Sequence, residues 1–300
     1  MEINTRYFKV AGLTFQINSD LPIFEDTFAP KFKVFETNEP GTGGDMVIIN
    51  HCFKTQPPPN KKGFEKIYHK IPWTIYRHKN GWIYQRIHIH SGVLKTYCTA
   101  FLNHAHTRVD IYHNDMNQNR YKKGHVESLT LFPTDQVLLA RLLADRKGCF
   151  FHSNGIVFNN KGMLFLGHSG FGKSTLAKML KSDGGKILCD DRMIAREYPA
   201  GIKIYGNWCH GKEQIFSADS SSLNALFFIT KSKDNRIVPV DDIKSIVHNL
   251  FSYIVRPIVT KDWWISSLLL MENMARQIPC YNLMFDKSGR IVPLIDKLLK

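Results

Sequence analysis

Apolar and polar positions follow two different periods along this chain. Between residues 7 and 112 they form short runs rich in aromatic and β-branched residues, at 46–49, 67–76, 82–89 and 93–101. Turn-forming clusters at 39–45, 56–63 and 78–81 separate these runs. The pattern predicts an antiparallel β-rich domain over residues 1–130, with exposed loops at 57–63 and 114–124. The period then changes. Thr134 stands as an N-cap before a helix over 135–146, whose Val137, Leu138, Leu142 and Leu143 share one apolar face, and Gly148 stops it. Over residues 131–300 strand-like and helix-like runs alternate: strands at 163–166 and 186–189, helices at 174–180, 241–251 and 262–276, and a last short helix after the turn at 286–289. The Leu- and Trp-bearing face of 262–276 reads as core. The fold class expected is therefore α+β in the first part and α/β in the second.

The densest chemistry lies at 167–175. Gly167, Gly172, Lys173 and Ser174 complete the G-x-x-x-x-G-K-[ST] pattern between a predicted strand and a predicted helix. A strand that feeds a glycine-rich turn into a helix N-terminus aims backbone N–H groups and the positive end of the helix dipole at one anion. The ligand this implies is a nucleoside triphosphate held by Gly167, His168, Ser169, Gly170, Phe171, Gly172, Lys173, Ser174 and Thr175. Gly167, Gly170 and Gly172 supply positive φ and close backbone approach, Lys173 supplies charge for the β- and γ-phosphates, and the Ser174 hydroxyl is placed to ligate magnesium. At the carboxyl end of the next strand stand Asp190 and Asp191, on the edge of an open sheet where ligands collect. One carboxylate can hold the metal, with Asp190 the metal candidate, while its neighbour accepts a proton; alternatively one of the two caps the segment that follows.

Charge and composition narrow the partners. The formal net charge is +14 over 300 residues, but lysine and arginine are spread along the chain and no nucleic-acid-binding module accompanies them. The charge reads first as a solvated basic surface, with a docking surface for an acidic peptide as the alternative. No apolar stretch has the length of a membrane span or the character of a signal peptide, and the six cysteines include no C-x-x-C pair, so a cytoplasmic protein without disulfides is expected. His88 with His90, and His104 with His106, are two apart and would share a strand face, yet no acidic or cysteine partner stands at ligand spacing, so these read as sheet histidines.

The order His152, Gly155, an apolar strand, Asn159-Asn160-Lys161-Gly162, the loop Gly-His-Ser-Gly-Phe-Gly-Lys-Ser, a short helix, a glycine pair and then Asp190-Asp191 resembles the catalytic domain of HPr kinase/phosphorylase. It is similar also to single-function kinases that act on peptide precursors, lasso-peptide precursors among them. The resemblance covers residues 149–230 and leaves 1–130 unmatched. It implies a P-loop kinase domain of the HPr kinase/PEP carboxykinase-like type over 131–300, ATP and Mg2+ as its nucleotide and metal, and His152, Lys173, Asp190 and Asp191 as catalytic residues. The acceptor it implies is a hydroxyl, that of a serine on a small protein or peptide, with a role in substrate recognition for 1–130; a homo-oligomer is left open. His152 would assist the aspartate in taking the acceptor proton, or, when protonated, stabilise charge on the γ-phosphate. Thr175 stands where the bifunctional enzymes carry glutamate, and their phosphorolysis signature has no counterpart here, which favours a kinase without the reverse reaction. The segment 205–211, Tyr-Gly-Asn-Trp-Cys-His-Gly, looks like the family's Gly-Thr-Pro-Trp-x-Gly stretch with Asn207 and Trp208 in place of Thr-Pro. A small-molecule kinase and a nucleotide-binding regulatory protein without turnover are the competing readings.

Overall fold

The computed structural model of the chain describes residues 4–41, 43–55, 57, 63–257 and 260–300. It is a sheet-rich α/β protein that divides into two compact units, Met1–Leu138 and Leu139–Lys300. Of the loop expected at 57–63, residues 58–62 lie outside the described residues.

The first unit is built on a nine-stranded sheet. Its strands are β1 (Thr5–Val10), β2 (Leu13–Ser19), β3 (Glu36–Thr37), β4 (Met46–Cys52), β5 (Glu65–Lys70), β6 (Trp73–His78), β7 (Gly81–His90), β8 (Val93–Asn103) and β9 (Arg108–His113), in the order β3-β1-β2-β4-β9-β8-β7-β6-β5. The alternation of buried and part-buried residues along β2 and β4 puts Leu13, Phe15, Ile17, Val47 and Ile49 on one face. Four expectations are corrected. The sheet is mixed, since β2 pairs with β4 and β4 with β9 in parallel. The run at 67–76 is not one strand: Pro72, which has no N–H for a ladder, turns the chain and splits it between β5 and β6. The loop expected at 114–124 is helix α1 (Asp115–Lys122), which Asn114 caps by accepting from the Asn117 backbone N–H and which buries Asn117 and Tyr121, four residues apart. His104 and His106 sit in the turn between β8 and β9 rather than on a strand, and the His106 ring bonds the Tyr84 hydroxyl at 2.8 Å.

The division between units falls within helix α2 (Gln136–Ala144), which begins one residue later than expected because the Asp135 carboxylate is taken up by the Leu129 and Thr130 N–H groups. The second unit carries β10 (Gly148–Phe151), β11 (Ser153–Phe158), β12 (Lys161–Leu166), helix α3 (Lys173–Ser182), β13 (Lys186–Cys189), β14 (Met193–Tyr198), β15 (Gly201–Tyr205), β16 (Ser220–Lys231) and β17 (Arg236–Pro239). Helices α4 (Ile243–Tyr253) and α5 (Lys261–Gln277), strand β18 (Cys280–Phe285) and helix α6 (Ile291–Leu299) complete it. Strands β12, β16 and β18 run parallel and form the centre of the sheet, with β11 antiparallel beyond β12 and β13 antiparallel to β11 in turn. Because these central strands are covered on both faces they read as continuous apolar runs. Met163, Phe165, Phe227 and Ile229 pack against α3 and α6 on one side, while Leu164, Leu166, Leu226 and Phe228 pack against α4 and α5 on the other. Helix α5 is only partly core: Trp263, Leu270, Met271 and Met274 are buried, whereas Ile265, Leu268 and Leu269 are exposed. No helix among the described residues is long and apolar enough to cross a membrane.

Candidate active site

The turn that follows β12 is shaped by two left-handed residues, Gly170 at φ 82° and Gly172 at φ 97°, a region that side-chain-bearing residues rarely enter. Gly172 is also crowded, since a Cβ there would stand 2.9 Å from the Phe285 ring. Gly167 has no positive φ; its lack of a side chain answers to packing, with Ile229 Cβ 3.2 Å from where its own Cβ would be. Gly172 is the N-cap of α3 and brings no capping side chain, which leaves the first-turn N–H groups for a ligand. His168, Ser169 and Gly170 are exposed, Phe171, Ser174 and Thr175 half-buried.

Lys173 is not on the surface. It is 8% exposed, and its ammonium donates to the Gly167 carbonyl at 2.6 Å and the His168 carbonyl at 3.4 Å, folded back onto the turn it follows. Burial pulls its pKa below the ordinary lysine value, against the Asp191 carboxylate, which raises it. Its Nζ stands 3.4 Å from His152 Nε2.

His152 lies in the break between β10 and β11, where its backbone N–H donates to the Tyr253 carbonyl at 2.7 Å. That break turns the ring toward the end of β13. Its Nδ1 is 3.2 Å from Asp191 Oδ1 and in contact with the Arg192 guanidinium, which also bonds the Asp191 carboxylate. Burial, with Arg192 and Lys173 adding to it and Asp191 opposing, pushes the imidazole down to about 4. At that value the ring carries no charge near neutral pH in the ligand-free protein. With its hydrogen on Nδ1 the ring donates to Asp191; with it on Nε2 the ring accepts from Arg192.

The two aspartates differ. Asp190 is 5% exposed, and its oxygens accept from the Gly211 N–H at 2.8 Å and the Glu213 N–H at 2.9 Å, so it fastens the 206–219 loop to the site. Gly211 allows this approach, since a Cβ there would come within 2.6 Å of Asp191 Cβ. Asp191 keeps 28% of its side chain exposed beside His152. His210 bonds the Gly211 carbonyl at 2.9 Å, so in this segment it is the glycine rather than the histidine that meets the carboxylates.

These groups line one cleft of about 570 Å³ that holds His152, Ser169, Lys173, Ser174, Asp190 and Asp191. Arg192 escaped the sequence reading; the signal was a guanidinium directly after two carboxylates at a strand end, where a cation has an obvious partner. A larger cleft of about 860 Å³ between α4 and α5, bordered by Asp242, Phe251, Leu268 and Arg276, includes no residue of the phosphate loop and none of His152, Asp190 and Asp191.

No protein-family model matches the sequence, and no curated protein matches it either. Among solved structures the chain is similar, at a TM-score of 0.28 and 12% sequence identity, to the Hpr(Ser) kinase/phosphatase from Coxiella burnetii, the match covering 50% of this chain and 92% of that one. So faint a likeness carries no argument about this chain.

Proposed function

We propose that this chain is an ATP-dependent kinase that transfers the γ-phosphate to a hydroxyl, that of a serine on a small protein or peptide. One observation carries the reading: the buried ammonium of the phosphate-loop lysine lies 3.4 Å from an imidazole that in turn meets the Asp191 carboxylate at 3.2 Å, within a single cleft. A nucleotide-binding module without turnover needs the loop but has no use for a His–Asp pair at its lysine.

In this reading the glycine turn and the first turn of α3 cradle the phosphates, and Lys173 leaves its carbonyl partners for the β- and γ-oxygens. Asp191, with His152 beside it, takes the proton of the acceptor hydroxyl, and Arg192 holds both in register. Ser174 and Asp190 suit magnesium, being hard oxygen donors in the same cleft; each Asp190 oxygen accepts one N–H and retains a further lone pair. Among the described residues no three His, Cys, Asp or Glu side chains converge on a metal position. When bound, the metal would supply charge neutralisation at the transferring phosphoryl group. The serine acceptor rests on the resemblance of the 149–230 motifs and on the extra surface of the N-terminal sheet, which a small acceptor would not require. The protein acts in the cytoplasm in this account.

The test is transfer of labelled phosphate from ATP to serine peptides encoded beside this gene, read by mass spectrometry. A phosphoserine product made by the wild type and not by Asp191→Asn is expected. With phosphorylated peptide and inorganic phosphate supplied instead, no pyrophosphate should form; its appearance would overturn the one-directional reading that Thr175 supports.

A further inference from the structure

Charge is spread unevenly over the N-terminal unit. Residues 1–50 carry four lysines and arginines against seven acidic residues, whereas residues 51–100 carry nine against Glu65 alone. The first stretch supplies β1 to β3 and most of β4, at one side of the nine-stranded sheet, and the second supplies β5, β6, β7 and most of β8 at the other. The sheet is therefore basic toward its β5 end. Its two edges are also finished differently. β3 is two residues long, and its Glu36 is tied to Arg6 of β1 by an ion pair of 2.6 Å. β5 is six residues long and, among the described residues, pairs only with β6; all of it is exposed except Ile67, which is half-buried. A short edge denies pairing to other chains, while a longer one presents a row of free backbone N–H and C=O groups on which a further strand can form.

The side chains of β5 select the partner. Its register against β6 shifts at Ile67, so Lys66 stands opposite Tyr76 and His69 opposite Thr74 on one face, while Tyr68 and Lys70 stand on the other. Each face thus presents one lysine, and neither Lys66 nor Lys70 forms an ion pair among the described residues. The single carboxylate of the strand, Glu65, is taken up by Arg77 of β6 at 3.7 Å. A second copy of β5 would bring two cationic edges together, which opposes pairing, whereas an acidic strand sets carboxylates against both lysines. Nucleic acid would answer the charge alone, since its phosphates accept hydrogen bonds but offer no N–H to the edge carbonyls. We propose that the free edge of β5 docks an extended acidic segment of a partner protein, which joins the sheet as a tenth strand. Backbone hydrogen bonds along the edge supply affinity, and carboxylates facing Lys66 and Lys70 supply selectivity. Exposed Tyr68 and Ile71 leave apolar surface for the residues that alternate with the acidic ones.

The probe is a fluorescein-labelled peptide of alternating Glu and Val, about ten residues long to span the edge, titrated into the full chain by fluorescence anisotropy. No nucleotide is present, so the result is independent of the kinase reading. Wild type should bind the peptide, and the double variant Lys66→Glu, Lys70→Glu should bind it about tenfold or more weakly. Methylating the backbone nitrogens of the central residues of the peptide keeps its charge and removes its donors; binding should again fall about tenfold or more. Hydrogen exchange on wild type needs no variant: amides within 65–70 should slow when the peptide is bound. Absence of binding by wild type, equal binding by the lysine variant or by the methylated peptide, or protection that leaves 65–70 untouched would each overturn the proposal. So would single-stranded DNA of equal charge displacing the peptide as well as unlabelled peptide does, because the surface would then read charge and not a strand.

Discussion

Two clusters in this chain hold histidines far below their ordinary pKa, and their difference shows what marks a site. In the N-terminal unit His51 is 1% exposed; its Nε2 donates to the Leu129 carbonyl at 2.8 Å and its Nδ1 meets His113 Nε2 at 2.9 Å. His113 in turn takes a hydrogen bond from the Asn117 amide at 3.1 Å, and the Phe53 ring lies stacked 4.6 Å from it. One arrangement of hydrogens satisfies every nitrogen in this chain of bonds, with both rings neutral. Burial pushes His51 down to about 4 and His113 well below its usual value. In the C-terminal unit His152 reaches about 4 as well, but its side chain is 30% exposed in a cleft, and its neighbours are two cations and a carboxylate that no single tautomer satisfies together. The depressed pKa is common to both; the open wall and the competing partners belong to one. A closed network is architecture, and an unfinished one awaits a ligand.

Replacing Asp191 with Asn gives the largest separation between the clusters. Phosphoryl transfer should fall by roughly 10²–10⁴-fold, the scale for loss of a positioned base, with melting temperature nearly unchanged because the carboxylate is part-exposed. A large drop in stability with normal turnover would make the C-terminal cluster architectural too.

Acid should act on the N-terminal cluster. Between pH 6.5 and 4 the unfolded chain binds protons at His51 and His113 that the folded chain refuses, so stability is full above 6.5 and falls as pH drops through that window. His51 alone accounts for roughly 3 kcal/mol of this change. Denaturant melts across pH 4 to 7 should show the slope in wild type and a flatter one in His51→Gln; parallel slopes would deny the pair its neutral network.

Asp190→Asn is expected to cost roughly 1–3 kcal/mol, since an amide nitrogen cannot accept the N–H that a carboxylate oxygen did. Hydrogen exchange should speed up at Gly211 and Glu213 while the rest of the second unit keeps its protection. The smallest effect belongs to Arg192→Ala: removing the cation at Nδ1 should raise the His152 pKa from about 4 toward its ordinary value, followed by NMR titration of the ring in the ligand-free protein. A pKa that did not move would leave burial and Lys173 as its causes.

What could be read in advance was what depends on near neighbours in the chain. The turn at 167–175, β12, α3 and β13 are each specified by a few consecutive residues, glycine spacing and apolar runs covered on both faces. Helix α1 was hidden because its composition is that of a loop, and only the Asn117–Tyr121 spacing and the Asn114 cap betray it. Pro72, without an N–H for a ladder, is the local signal for the split of 67–76 into β5 and β6. At the site, residue types at strand ends were legible, but the division of work between Asp190 and Asp191 was not. It depends on a loop some twenty residues downstream whose Gly211 and Glu213 N–H groups occupy one carboxylate and not the other. The contact of Arg192 with His152 shares that origin, joining segments some forty residues apart in sequence.

The central claim, that Lys173 and its turn hold a polyphosphate for transfer, is tested most directly by measuring γ-phosphate turnover of Mg·ATP and binding of inorganic tripolyphosphate for wild type and Lys173→Ala side by side. Wild type should bind and turn over, and the variant, folded by circular dichroism despite losing its bonds to the Gly167 and His168 carbonyls, should lose roughly 10³-fold in turnover with weakened tripolyphosphate binding. Equal turnover and equal binding by a folded Lys173→Ala protein would contradict it.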